Sequence, residues 1–169
     1  MNPMRQISIE KVTLNIGAGK DQARLEKGIK LIQTITGLTP IKTFTNKRIQ
    51  EWGLRPGLPI GCKLTVRGKK ALELVKRLLE ARDNTLEAVN WDNEGNLSFG
   101  IKEYIDIPGV KYNPDIGIMG LQVCATLKRN GFRIKHRSIK RRLIPKKHRI
   151  KKEESIEFME KEFNVRVNN

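Results

Sequence analysis

Between two strand-like runs, the stretch from Asn46 to Leu58 (NKRIQEWGLRPGL) carries three cations, Lys47, Arg48 and Arg55, one aromatic ring, Trp52, and two glycines, Gly53 and Gly57. Reversing a chain takes about two to five residues, so a connection this long is built for more than turning. Lysine and arginine can meet phosphate, and an indole ring offers a flat face to a base. The same residues also suit a solvated loop whose Trp52 folds back on its own sheet. The stretch by itself leaves both readings open.

A second concentration of charge lies further on. From Ile116 through Lys152 there is no Asp or Glu. Within that span, Lys128 to Lys152 holds 13 basic residues: Lys128, Arg129, Arg133, Lys135, Arg137, Lys140, Arg141, Arg142, Lys146, Lys147, Arg149, Lys151 and Lys152. The chain has 34 basic and 18 acidic residues, a net charge of +16; without these 13 it would keep 21 basic residues, a net of +3. Such a block repels itself unless a polyanion offsets it. If about six to ten of its cations meet phosphates, affinity falls ~10³–10⁵-fold between about 50 and 200 mM salt. A membrane surface is the rival polyanion, but neither a basic amphipathic helix nor a lipidation motif supports it.

Catalytic and metal chemistry find little footing. The two cysteines, Cys62 and Cys124, lie in apolar strand-like runs and are expected as buried small hydrophobes of a reducing compartment. The two histidines, His136 and His148, fall in basic runs, and no zinc pattern, HExxH or GxSxG occurs. A Gly-Lys pair at Gly19-Lys20 lacks the P-loop's upstream glycine and its Ser or Thr, because Leu14 and Asp21 stand there. No cofactor or metal is expected. The start, MNPMRQISIEKV, has no apolar run of signal-peptide length, so a cytoplasmic protein is expected.

Several elements must position these groups within what is expected to be one domain spanning 1–169. Residues 7–16 alternate as a strand with a slip near Lys11 that suits a bulge. A helix over Asp21 to Thr36 presents Leu25, Ile29, Ile32 and Ile35 or Thr36, with Gly37 as its stop. Strands are predicted at 42–45 and 59–67. A second helix over Lys69 to Arg82 presents Leu72, Val75, Leu78 and Leu79. Residues 97–101 alternate as a strand ending near Tyr104, and 107–120 form an ordered excursion broken by Pro and Gly. Leu121 to Leu127 is a further strand. A helix from Glu153 to Phe163 presents Ile156, Met159 and Phe163, and Val165 and Val167 add a short strand or a tail.

The segments TLNIGAG at 13–19, ITGLTPIKT at 35–43, GLRPGLPIGCKLTVRG at 53–68, NLSFGIKEYIDIPGVKY at 96–112 and DIGIMGLQV at 115–123 resemble the large-subunit ribosomal protein family that binds 5S rRNA, the L5 family, in its archaeal and eukaryotic branch. The resemblance implies an α+β fold: a roughly five-stranded antiparallel sheet with helices packed on one face, long RNA-contacting loops and a basic C-terminal segment. It implies a structural role, anchoring 5S rRNA to large-subunit rRNA in the central protuberance. By the same resemblance Asn15, Trp52 and Thr65, with Lys47, Arg48 and Lys63, are expected at 5S rRNA. The loop of Gln50, Glu51, Gly53, Leu54, Arg55, Pro56 and Gly57, with Arg55 at its tip, is expected to approach P-site tRNA. Lys128 to Arg149 is expected on rRNA, and the 107–120 excursion near the small subunit or neighbouring RNA. Leu38 departs from the Gln of many bacterial members. Expected partners are 5S rRNA, large-subunit rRNA, P-site tRNA, neighbouring 5S-associated and central-protuberance proteins, and a protein of the small-subunit head. An RNA-modifying enzyme and an architectural DNA binder are the rival classes.

Overall fold

Alternation of β-branched and polar residues produces the sheet, and its apolar phase decides which side the helices cover. In the computed structural model, which describes residues 2–168, the strands are β1 (Ile7–Gly17), β2 (Ile41–Phe44), β3 (Pro59–Val66), β4 (Thr85–Glu87), β5 (Leu97–Ile101), β6 (Leu121–Arg129) and β7 (Arg166–Asn168). Five of them form an antiparallel sheet in the order β2-β3-β1-β6-β5. The slip near Lys11 is a bulge: the register of β1 on β6 shifts between Ile9 and Lys11. The remaining two strands pair in parallel, Thr85 with Arg166 through Glu87 with Asn168. This pairing joins three-residue segments far apart in the chain, and the part played by β4 has no periodic signature in the sequence.

Helix α1 (Gln22–Thr36) starts at Asp21, whose carboxylate accepts the Ala23 and Arg24 amides at 2.9 and 3.2 Å. It ends at Gly37, where φ is 69°. Leu25, Leu31, Ile32 and Ile35 are buried, and Gly28 lets the helix sit close on the sheet. A Cβ there would stand 3.2 Å from Ile16 and 3.3 Å from Cys62. Helix α2 (Lys69–Glu80) buries Ala71, Leu74, Val75, Leu78 and Leu79. Leu72, expected on that face, is instead 42% exposed, because small Ala71 and Leu74 carry the stripe one residue round.

Helix α3 (Lys152–Phe163) sets Met159 and Phe163 into the same hydrophobic cluster, while Ile156 is only half-buried. Ser155 is fully buried there and donates to the Gly95 carbonyl at 2.8 Å, tying α3 to the turn before β5. Strand β5 stops at Ile101 rather than near Tyr104, which begins a 3₁₀ turn and is buried, its hydroxyl accepting the Asn113 amide at 2.9 Å. That bond anchors the excursion at 107–120. Val12, Leu14, Leu64, Val123, Leu127 and Phe99 point to the helices. The opposite face of the sheet is left open.

Candidate nucleic-acid interface

Period-two geometry puts the partners of the buried residues outward, and these are polar. On β1 they are Lys11, Thr13 and Asn15, on β3 Lys63 and Thr65, on β6 Gln122 and Cys124, and on β5 Ser98, while Thr126 of β6 shares the phase but is half-buried beside the basic excursion. Asn15 stands opposite Lys63 on one side and Gln122 on the other, and Thr13 opposite Thr65. The Asn15 amide donates to Gln122 Oε1 at 3.1 Å, and the Thr13 and Thr65 hydroxyls lie 3.3 Å apart. Asn15, Lys63 and Thr65 are thus brought into one patch of hydrogen-bonding groups with a cation beside them. Thr13, Gln122 and Ser98 belong to the same patch and share its outward phase. Cys124 also lies on this open face, correcting the expectation that it is buried. Cys62 is buried as expected, and burial pushes its thiol pKa up.

The loop after β2 is a small folded object. Thr45 N–H donates to Leu58 O at 3.0 Å and Gly57 N–H to Thr45 O at 2.9 Å, closing its neck. Inside, Ile49 and Leu54 exchange backbone hydrogen bonds at 3.1 and 2.9 Å around the turn Gln50-Glu51-Trp52-Gly53. Gly53 takes φ 64°, a conformation that favours glycine there. The turn lifts Trp52 to 65% exposure, so the ring does not pack on its own sheet. Lys47, Arg48, Gln50, Glu51 and Arg55 are exposed, but Leu54 is 6% exposed and serves as the loop's internal anchor. Arg55 is not at the tip: it opens a second turn, closed by Leu58 N–H to Arg55 O at 3.1 Å, with Pro56 and Gly57 at its corners. Leu38, on the segment leading into β2, is partly exposed.

The Gly17–Asp21 corner holds no phosphate cradle, since the Ala18 and Gly19 amides both donate to Ile60 O, at 2.9 and 3.0 Å.

The basic segment is a closed excursion that returns to its origin. His148 Nε2 and the Asn130 carbonyl lie 2.9 Å apart at its neck. Arg129, at the end of β6, donates to the His148 and Arg149 carbonyls and pairs with Glu154 Oε1 at 2.7 Å. Its position corrects the expectation that it reaches RNA: at 4% exposure it is a structural cation, and it continues the buried phase of β6. Glu10, at the β1 bulge, meets Lys135 at 3.3 Å and His136 at 3.1 Å, and Glu94 meets Arg149 at 3.3 Å. The segment has no acid of its own, so every acidic partner comes from elsewhere in the fold. Burial raises the pKa of Glu10, but Lys135 and then His136 and Lys11 outweigh it and hold the carboxyl below its ordinary 4.5. Glu154 is lowered likewise, against the same burial effect, by the Lys151 amide and Arg129. Arg133, Arg137, Lys140, Arg141, Arg142, Lys146 and Lys147 are exposed, and Lys128 is half-buried.

Among the described residues there is no group of three His, Cys, Asp or Glu side chains fit to hold a metal ion, and no helix is long and apolar enough to cross a membrane.

These features define an α+β protein that presents an open polar sheet face, a ring-bearing loop and a cationic excursion. Residues 2–55 match the family model described as ribosomal protein L5, and residues 59–158 match the model that describes the C-terminus of the same ribosomal family. The chain is 47% identical to the large ribosomal subunit protein uL5 of Sulfurisphaera tokodaii over 99% of its own length and 95% of the relative's. It is equally identical to that of Methanobrevibacter smithii, over 98% and 97% of the two lengths. The protein of Nanoarchaeum equitans is 46% identical, over 98% of each chain. The chain belongs to the ribosomal L5 family, in its archaeal type, a family of structural ribosomal proteins and not of enzymes.

Proposed function

We propose that this ribosomal protein holds 5S rRNA against large-subunit rRNA in the central protuberance. Its relatives carry the name of a large-subunit protein, which supports a ribosome-bound place in the cytoplasm. The observation that carries the 5S rRNA reading is the patch in which Asn15, Lys63 and Thr65 adjoin on an open, polar sheet face. Asparagine and threonine can hydrogen-bond ribose, phosphate and base edges, and Lys63 adds the charge that keeps RNA close. Exposed Trp52, with Lys47 and Arg48, supplies a stacking surface next to phosphate contacts. The loop that presents it, with Arg55, reaches toward P-site tRNA. The excursion from Lys128 to Arg149 supplies the broad electrostatic attraction to rRNA. Neighbouring central-protuberance proteins and a small-subunit head protein complete the proposed partners.

Competition binding at moderate salt tests this. The chain should retain labelled 5S rRNA against an unrelated folded RNA of equal length, and equal competition by the two RNAs would overturn the site-specific half of the proposal. Preference for duplex DNA over both would favour the architectural alternative.

A further inference from the structure

A cavity of about 240 Å³ lies where the basic excursion folds back over the end of β6. Its apolar walls are the Phe132 ring and Ile144, and Thr126 and Asn96 add polar groups. The Asn96 amide nitrogen donates to Asp92 Oδ2 at 2.7 Å, which leaves the amide oxygen as an acceptor. Lys135 and Arg149 stand on the lining, each already sharing an acid of the fold, Glu10 and Glu94 at 3.3 Å. The Lys135 ammonium lies over one side of the Phe132 ring, 5.0 Å from its centre, with the His148 ring T-shaped to that ring at 5.7 Å. The Glu94 carboxylate shares that lining and accepts from Arg149 at 3.3 Å. The cavity adjoins the most cationic stretch of the chain, so whatever enters it arrives in a field that gathers polyanions.

We infer that this cavity receives a single unstacked nucleotide of ribosomal RNA, base inward and phosphate toward Lys135 and Arg149. The combination selects for it. A bare anion would gain the two cations but face Glu94 and apolar walls, and a purely apolar ligand would strand Asn96 and Thr126. A nucleotide has a flat apolar face for Phe132 and Ile144, an edge for the amide oxygen and the hydroxyl, and a phosphate for the cations. The inference rests on the proposal that the basic excursion meets rRNA, and adds that one base there is lifted from its stack.

The test uses the full chain bound to large-subunit rRNA that includes 5S rRNA. A photoreactive phenylalanine analogue at position 132 should crosslink to one discrete nucleotide, and that nucleotide should be unpaired and shielded from base-modifying reagents. Thr126→Phe, which fills the cavity from a strand position suited to an aromatic, should restore reagent access to that base and weaken binding about tenfold, the scale of one lost stacked base. The log–log salt slope should fall by no more than about one, since at most one phosphate contact is lost with the base. Phe132→Leu, which keeps the wall apolar, should lose less, and thermal melting of both variants establishes that they fold. As a control, Lys140, Arg141 and Arg142 are changed together to Ala. If that variant keeps the parent's salt dependence, the excursion does not meet RNA and the parent reading fails. If it flattens the dependence while the crosslinks scatter and the filled cavity binds normally, the nucleotide pocket alone is overturned.

Discussion

Trp52 and Arg129 are opposite cases of a residue type whose role depends on where the backbone leaves it. The Gln50–Gly53 turn holds the Trp52 ring in solvent, so it contributes little to the core. Trp52→Ala should therefore leave the melting temperature within a degree or two but weaken 5S rRNA binding by ~1–3 kcal/mol, as titration of the two proteins would measure. Unchanged affinity would remove the stacking contact from the proposed interface. Arg129 lies within the fold, and Arg129→Ala would strand Glu154 and free the His148 and Arg149 carbonyls. Glu154 keeps about a third of its surface in water, so the expected loss of stability is about 2 kcal/mol rather than the ~3–5 of a fully buried pair. Urea unfolding checks it, and a variant as stable as the parent would return Arg129 to the set available to RNA. Strand phase made much of this legible. Asn15, Thr65 and Lys63 alternate with buried neighbours and so fall outward together. The same alternation puts Arg129 inward, after Leu121, Val123, Ala125 and Leu127, and Cys124 outward, although local composition suggested the reverse for both.

At the scale of elements, the strands and helices followed their hydrophobic periods, because burial of one face is the dominant force on each. Two kinds of feature did not follow. The stripe of α2 was misplaced by one residue because Ala71 is small enough to hide and Leu72 large enough to mislead. Long-range pairings, β4 with β7 and the acids that hold the basic excursion, depend on residues distant in sequence that no local pattern links. Glu10, with Glu154 on Arg129, gives this part of the fold a pH dependence. Glu10 and Glu154 bind protons less readily in the folded protein than in the unfolded chain. Their contribution is therefore complete above the ordinary carboxylate value of 4.5 and is lost as pH falls through their lower folded values. Replacing both with Gln should lower stability at pH 7 and flatten its decline in acid, measured by urea midpoints across that range. Parallel curves for parent and variant would show that the clasps contribute nothing. The loop after β2 is a separate element with its own neck, so Arg55→Glu should disturb tRNA positioning on assembled ribosomes while leaving 5S rRNA affinity nearly intact. Equal loss of both would end that division of labour.

The molecule as a whole carries +16, and its distribution determines how it should bind. Of the 13 cations between Lys128 and Lys152, Arg129, Lys135 and Arg149 pair with acids of the fold, which leaves ten without an ion-pair partner among the described residues. Closing the excursion at its neck holds the seven of these that lie between Asn130 and His148 in a folded segment before any RNA arrives, so less ordering entropy is spent on binding than by a disordered tail. Each phosphate neutralised releases condensed counterions, and this sets the slope of affinity against salt rather than affinity at any one salt. Changing Lys140, Arg141, Arg142, Lys146 and Lys147 to Ala should thus reduce the log–log slope by about four, with little change in the preference for 5S rRNA over a competitor. Folding should be unharmed or slightly firmer, because like charges repel in the compact state. Fluorescence anisotropy of labelled rRNA from about 50 to 200 mM salt would report the slope. A parallel titration of 5S rRNA against its competitor would report the preference. If the slope stays as steep as the parent's, the attraction comes from Lys11, Lys63 and the loop cations, and the excursion's charge serves some other end. If instead the preference collapses along with the slope, recognition resides in the excursion and not on the open sheet.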